Sequence, residues 1–344
     1  MATITQPGDV IFSPTESVSA GERHIAYRRK YKDIVLPMGI PSIDSVGNFV
    51  PLAPGDLMTV IGRPGHGKSA FMLWWARHRA LWLSQAKDSL LIPDVEKRIV
   101  VFITYEQPIE ELYTFITAAD THINTEIMKR GTITDEEMER IVGAGVKRLT
   151  IPLWFIGHSL ERRKRRPRIT MEVLMNSLYS LEDERGLVID SVFIDYLQCI
   201  PLPGRSESMV IGTGQNLNDC KDGALDTGCP WIVGCQAGRQ VDEYKPPIPM
   251  TGDGQWTSNI EQKSDSSVSV VRLRRAMEEG EYFGKKNPVL VKGKTQFLIY
   301  LLKQKVGEAN MPYFLNMDPR YNQIADNELR YASISDEEPR SWTG

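Results

Sequence analysis

Leu57-Met58-Thr59-Val60-Ile61-Gly62-Arg63-Pro64-Gly65-His66-Gly67-Lys68-Ser69-Ala70 decides the reading of this chain. The apolar run at 57–61 predicts a buried strand. Gly62 through Ser69 is a complete G-x-x-x-x-G-K-[ST] loop, and Ala70 to Ala76 runs on without Gly or Pro as a helix. A loop between a buried strand and a helix N-terminus can converge its backbone N–H groups on a phosphate. The glycines permit the close backbone approach, Lys68 can reach the β- and γ-phosphates, and the Ser69 hydroxyl can ligate Mg²⁺. The bland alternative is a glycine-rich turn with an incidental Lys-Ser. The flanking strand and helix weigh against it.

Working outward, further apolar runs occupy 99–105, 149–156, 191–194 and 231–235, separated by helix-length segments. Continuous β-branched and aromatic runs of this kind predict an α/β fold with a mostly parallel central sheet flanked by helices. The runs at 267–273, 296–302 and 313–315 follow one another over short links and predict antiparallel strands at the C-terminal end. Residues 16–32 predict a short amphipathic helix, basic toward its end, that needs a partner surface. The expected organisation is an N-terminal arm with that helix over 1–35, one α/β domain over 36–325, and an acidic, polar tail over 326–344.

Composition bounds the answer without supplying it. The 344 residues are 41% hydrophobic, enough for a large core, and the formal net charge is −3, which gives no global pull toward nucleic acid. Four cysteines (199, 220, 229, 235) match neither a metal spacing nor a disulfide framework and read as reduced packing residues. The sequence has neither an apolar run of about 18 residues nor a secretory pattern at its start, so the expected setting is cytoplasmic, with no membrane.

A phosphate loop hydrolyses nothing by itself. The run 192–194 delivers Asp195 to a strand end, where a carboxylate can stand beside the metal; Asp190 precedes that run and is the poorer candidate. Glu106 follows the 99–105 run at the sheet edge where ligands bind and can orient the attacking water, the alternative being that Glu106 or Glu110 only opens the next helix. Gln236, at the end of 231–235, can sense the γ-phosphate by hydrogen bonding.

Taken in order, Met38-Gly39-Ile40-Pro41-Ser42-Ile43-Asp44, Pro54-Gly55-Asp56-Leu57, the phosphate loop, Tyr105-Glu106-Gln107-Pro108, Ile194-Asp195-Tyr196-Leu197-Gln198, Gln236-x-x-Arg239 and Ile260-Glu261-Gln262-x-x-Asp265 resemble the C-terminal ATPase domain of DnaB-type replicative helicases. The resemblance spans residues 20–325. It implies a RecA-like domain, assembly as a ring, usually a hexamer, ATP and Mg²⁺ between subunits, and 5′–3′ movement on single-stranded DNA in the channel. By the same resemblance Lys68 and Ser69 bind phosphate and metal, Glu106 is the base, and Asp195 and Gln236 are the metal-side acid and the sensor. Arg272 lies near the nucleotide base, and the 16–32 helix is the linker that packs on a neighbour.

The chain departs from the pattern in two places. The family's Lys-x-Arg element, which reaches across the subunit boundary, reads Lys303-Gln304-Lys305; lysine keeps the charge but loses the planar fork, so hydrolysis is expected to be slow. The family's DNA-contacting stretch reads Asp253-Gly254-Gln255-Trp256-Thr257-Ser258-Asn259, where Gln255 and Ser258 can hydrogen-bond a phosphate and Trp256 can stack a base. The family's helical N-terminal domain is expected to be absent, as in a stand-alone motor encoded by a phage, plasmid or other mobile element, with replication or mobile-element proteins as further partners.

Arg162-Arg163-Lys164-Arg165-Arg166-Pro167-Arg168 has no counterpart in that pattern. It reads either as a nucleic-acid path or as a solvated loop or protein-docking patch. Two functional readings remain open: a ring-forming helicase, and a nucleotide-gated scaffold that assembles on DNA and recruits partners with little unwinding. A recombinase-like or KaiC-like ATPase is disfavoured by the Asp-Tyr-Leu-Gln and Ile-Glu-Gln elements.

Overall fold

The computed structural model describes residues 13–30, 35–44, 49–86, 92–161, 166–202, 208–244, 246–255, 260–283 and 289–326, apart from the side chains of Arg28 and Glu261. The 31–32 end of the expected first helix, most of the basic run, Trp256, Ser258 and nearly all of the tail lie outside these residues.

The strands are β1 (Leu57–Gly62), β2 (Arg98–Thr104), β3 (Leu153–Ile156), β4 (Val188–Asp195), β5 (Trp231–Gln236), β6 (Ser266–Arg272), β7 (Tyr282–Phe283), β8 (Val289–Leu290), β9 (Gln296–Lys303), β10 (Met311–Asp318) and β11 (Gln323–Asp326). Nine of them form one sheet in the order β11-β10-β9-β6-β1-β5-β4-β2-β3, and β7 pairs with β8 apart from it. From β6 to β3 all pairings are parallel. Strands β9, β10 and β11 join antiparallel, as their short links predicted.

The helices are α1 (Pro14–Lys30), α2 (Pro41–Asp44), α3 (Lys68–Gln85), α4 (Ile109–Thr121), α5 (Thr125–Arg130), α6 (Asp135–Arg148), α7 (Met171–Asp183), α8 (Met209–Thr227), α9 (Ile260–Lys263) and α10 (Leu273–Ala276). They cover both faces of the sheet, which is why the central strands lack a polar face. In β1, Leu57 and Ile61 join one core with Leu174 of α7 and Leu217 of α8. Met58 and Val60 join the other, with Phe71 and Trp75 of α3 and Leu112 of α4. Alternate residues of one strand therefore fill two cores. Both Trp74 and Trp75 are buried, and the Trp75 indole donates to the Pro37 carbonyl at 2.7 Å.

Three boundaries moved. The 149–156 run yields a strand only at Leu153–Ile156, because residues 149–151 close the end of α6 and Leu149 is 85% exposed. Leu273 belongs to α10, so β6 stops at Arg272. Asp190 does not precede β4 but lies within it, held by Arg79 at 2.8 and 2.9 Å, with Arg98 at 3.6 Å. On α1, Val18 and Ile25 are exposed. Among the described residues no helix is long and apolar enough to cross a membrane.

Candidate nucleotide site

The carboxyl ends of β1, β5, β4 and β2 lie side by side, and the sheet register aligns their last residues. Gly62 pairs with Gln236, and Thr104 pairs with Asp195. The Ala237 N–H donates to the Gly62 carbonyl at 3.1 Å, and the Tyr105 N–H to the Asp195 carbonyl at 3.0 Å. The parallel ladder thus carries Gln236, Asp195 and Glu106 to the edge where the glycine loop leaves β1.

The loop turns through left-handed backbone at Gly65 (φ 77) and Gly67 (φ 92). A methyl group at Gly65 would strike the Arg275 guanidinium, and one at Gly67 would come within 2.9 Å of Met317 Sδ. Glycine is therefore required at both positions. Gly67 is the N-cap of α3 and supplies no capping side chain, so the first N–H groups of that helix point out unsatisfied beside the positive end of its dipole. Arg63 anchors the loop from outside, bidentate to Asp242 at 2.8 and 2.6 Å and to the Ala237 carbonyl at 3.0 Å.

A cavity of about 330 Å³ opens over the loop, lined by Gly62, Arg63, Pro64, Gly65, Gly67, Lys68, Ser69, Ala70, Glu106, Tyr196 and Gln236. Lys68 is nearly buried, with Nζ 3.4 Å from Asp195 Oδ1 and 3.8 Å from the centre of the Tyr196 ring. That Asp195 oxygen is buried without a hydrogen-bond donor. Among the described residues no group of three or more His, Cys, Asp or Glu side chains could hold a metal by itself. The unsatisfied Asp195 oxygen together with the Ser69 hydroxyl nonetheless fits Mg²⁺, a hard cation that takes few protein oxygens and completes its shell with phosphate and water.

His66 is kept neutral. Burial, then the Arg275 and Arg63 charges, pull its pKa down to about 4, and its Nδ1 is buried without a partner. Glu110 is committed elsewhere: it opens α4 and accepts hydrogen bonds from the Ser159 hydroxyl and, at 3.0 Å, the Leu160 N–H. The Ser159 bond is the main reason its carboxyl is held far below the usual range. Glu106, by contrast, stands exposed in the turn between β2 and α4 and faces the cavity.

Not every expected residue meets here. Lys303 donates to the Ser264 carbonyl at 2.7 Å, and Lys305 lies 3.3 Å from Asp265 and 3.8 Å from Asp56. Because β9 runs antiparallel to β6, both lysines end at the sheet edge opposite the loop. Arg272 closes β6, where burial and Arg275 lower its pKa. Gln255 donates its N–H to the Gln236 carbonyl at 2.7 Å.

Sequence reasoning missed Arg275, Tyr196 and Gln198. Gln198 ties two loops together: its Nε2 donates to the carbonyls of Gln236 and Gln255 at 3.2 and 3.0 Å, and its Oε1 accepts from the Gln236 N–H at 3.1 Å. The Ile194–Gln198 element was visible in the sequence, but its cross-strand partners were not. Arg275 carried no signal in the sequence beyond standing three residues after Arg272.

A phosphate loop on β1, an acid at the end of β4 and antiparallel strands appended to a parallel sheet define the RecA-like ATPase fold. A separately solved ATPase domain superposes on it with a TM-score of 0.72 at 17% identity, covering 92% of this chain and 100% of that domain. A DnaB-like replicative helicase, solved in a study of its interactions with primase, gives 0.69 at 18% identity, covering 93% of this chain and 68% of that one. Residues 36–323 match the family described as DnaB-like helicase C terminal domain, and the chain belongs to that family. Similar relatives include a probable plasmid replicative DNA helicase of Chlamydia psittaci, 28% identical over 74% of this chain and 52% of its own length. The replicative DNA helicase DnaC of Bacillus subtilis is 24% identical over 89% of this chain and 59% of its own length. The chain thus spans between half and three-fifths of these relatives.

Proposed function

We propose that the chain is an ATP-dependent, ring-forming translocase and helicase on single-stranded DNA. What supports this most is one cavity shared by Lys68, Glu106 and Gln236, with Asp195 against Lys68, in a member of the DnaB-like family. ATP seats its phosphates on the loop N–H groups and the α3 terminus, and Lys68 neutralises the β- and γ-phosphates. A magnesium ion held by Ser69 and Asp195 would supply further charge neutralisation on the phosphate oxygens. Glu106 accepts the proton of the attacking water, and Gln236 hydrogen-bonds the γ-phosphate. Hydrolysis alters that last bond, and the Gln236–Gln198–Gln255 hydrogen bonds carry the change to the strand-contacting residues Gln255, Trp256 and Ser258. Lys303 and Lys305, remote from their own cavity, reach the ATP of a neighbouring copy in a hexameric ring.

ATP turnover with and without single-stranded DNA tests this reading. Glu106→Gln should lower turnover by about 10²–10⁴-fold while leaving nucleotide binding intact, the range for loss of a positioned general base. Unchanged turnover removes Glu106 from the mechanism.

The tie of Lys305 to Asp265 and Asp56 in its own chain favours a second reading, a nucleotide-gated scaffold that assembles on DNA with little unwinding. Strand displacement decides between them: oligomerisation driven by ATP without unwinding selects the scaffold.

A further inference from the structure

Glu106 lines two cavities. Besides the one over the phosphate loop, it lines a cleft of about 530 Å³, together with His158, Arg166, Arg168, Tyr196 and Cys199. Arg166 and Arg168 are the described end of the basic run that no nucleotide-binding role absorbs, and both are exposed. Arg168 donates a guanidinium N–H to the Leu202 carbonyl at 2.9 Å. Arg166 has no hydrogen bond or ion pair among the described residues. Burial, then the Arg166 charge, pull the His158 pKa below its usual value.

We propose that this cleft binds a backbone phosphate of the single-stranded nucleic acid through Arg166 and Arg168, and that its occupancy promotes hydrolysis at Glu106. The proposal rests on the ATPase reading above. Guanidinium forks match phosphate oxygens, and among the described residues that line the cleft two arginines stand against one carboxylate, Glu106. Its position favours a strand over an acidic protein segment. Cys199 lines the cleft, and its chain neighbour Gln198 holds the carbonyl of Gln255, the residue expected to touch DNA. A phosphodiester seated there adds negative charge beside a carboxylate base, which strengthens it as a proton acceptor, and covers the open side of the water site. Strand engagement and turnover are thereby coupled through one side chain.

The test compares wild type with the double variants Arg166→Ala/Arg168→Ala and Arg166→Lys/Arg168→Lys. Turnover is measured with and without a thymidine homopolymer oligonucleotide, and oligonucleotide affinity is measured against salt with a non-hydrolysable ATP analogue bound. The alanine pair should keep basal turnover within about twofold of wild type and lose most of the oligonucleotide stimulation. The slope of log affinity against log salt should shrink by about 0.7, one single-strand phosphate's worth of counterion release. The lysine pair should keep the slope and recover part of the stimulation. An alanine pair with wild-type stimulation and slope overturns the proposal and leaves the run as a solvated or protein-docking patch. A wild-type protein without turnover refutes the ATPase reading instead, and the salt slope then still decides whether the arginines hold a phosphate.

Discussion

Asp190 and Asp195 share β4 and do different work. The register between β2 and β4 jumps from Ile99–Ile189 to Val100–Ser191, so Asp190 is the extra residue of a bulge, re-aimed at Arg79 of α3. Its carboxylate is fully buried between two guanidiniums, and Asp190→Ala should destabilise the protein by about 3–5 kcal/mol, since it strands buried charge. Urea unfolding checks this, and nucleotide affinity should change little. The loop's own His66 gives a pH signature in the nucleotide-free protein. With its pKa near 4 when folded and 6.5 as the reference, the unfolded chain takes up a proton that the folded one refuses as pH drops. Stability should therefore be unaffected by this group above pH 6.5, fall between 6.5 and about 4, and level off below; His66→Gln should flatten that segment of the curve. Lys68, Ser69, Asp195 and Glu106 were legible as candidates because each is a local event, a loop or a strand end. The bulge at Asp190 was not, because it is a property of two strands.

At the scale of elements, the α3 terminus is the feature on which binding hangs. Gly67→Ala places a side chain in left-handed backbone against Met317, at a cost of about 1–2 kcal/mol, and should weaken ATP binding more than it lowers the unfolding midpoint. Isothermal titration alongside thermal unfolding separates the two effects. Helix α6 carries a complete capping box, Thr134 with Glu137, and Thr134→Ala should cost about 1 kcal/mol by denaturant titration with no change in turnover. Both signals are short-range and can be read along the chain. The length of β3 could not be, because an apolar run does not reveal where α6 ends and the strand begins.

For the whole molecule, the antiparallel β9 sends Lys303 and Lys305 away from the phosphate loop of their own chain, so any role in hydrolysis must be played toward another copy. Lys305→Ala should cost less than about 1 kcal/mol of stability, since its ion pairs are largely solvated. Mixing Lys305→Ala with Glu106→Gln should restore part of the ATP turnover that each lacks alone, by pairing an intact base with an intact neighbouring lysine. No recovery in the mixture would exclude a role across the boundary. By itself the sequence determined the α/β fold class, the phosphate loop, the acid and base candidates and the antiparallel end. These are written in local periodicity and in strand-end spacing, which the backbone must obey wherever it folds. Only the tertiary structure decided that Tyr196 and Arg275 crowd the loop, that Gln198 joins Gln236 to Gln255, and that Glu106 lines both a phosphate cavity and a basic cleft. Those contacts depend on strand order and register, which are set by the joint burial of two cores rather than by any one segment.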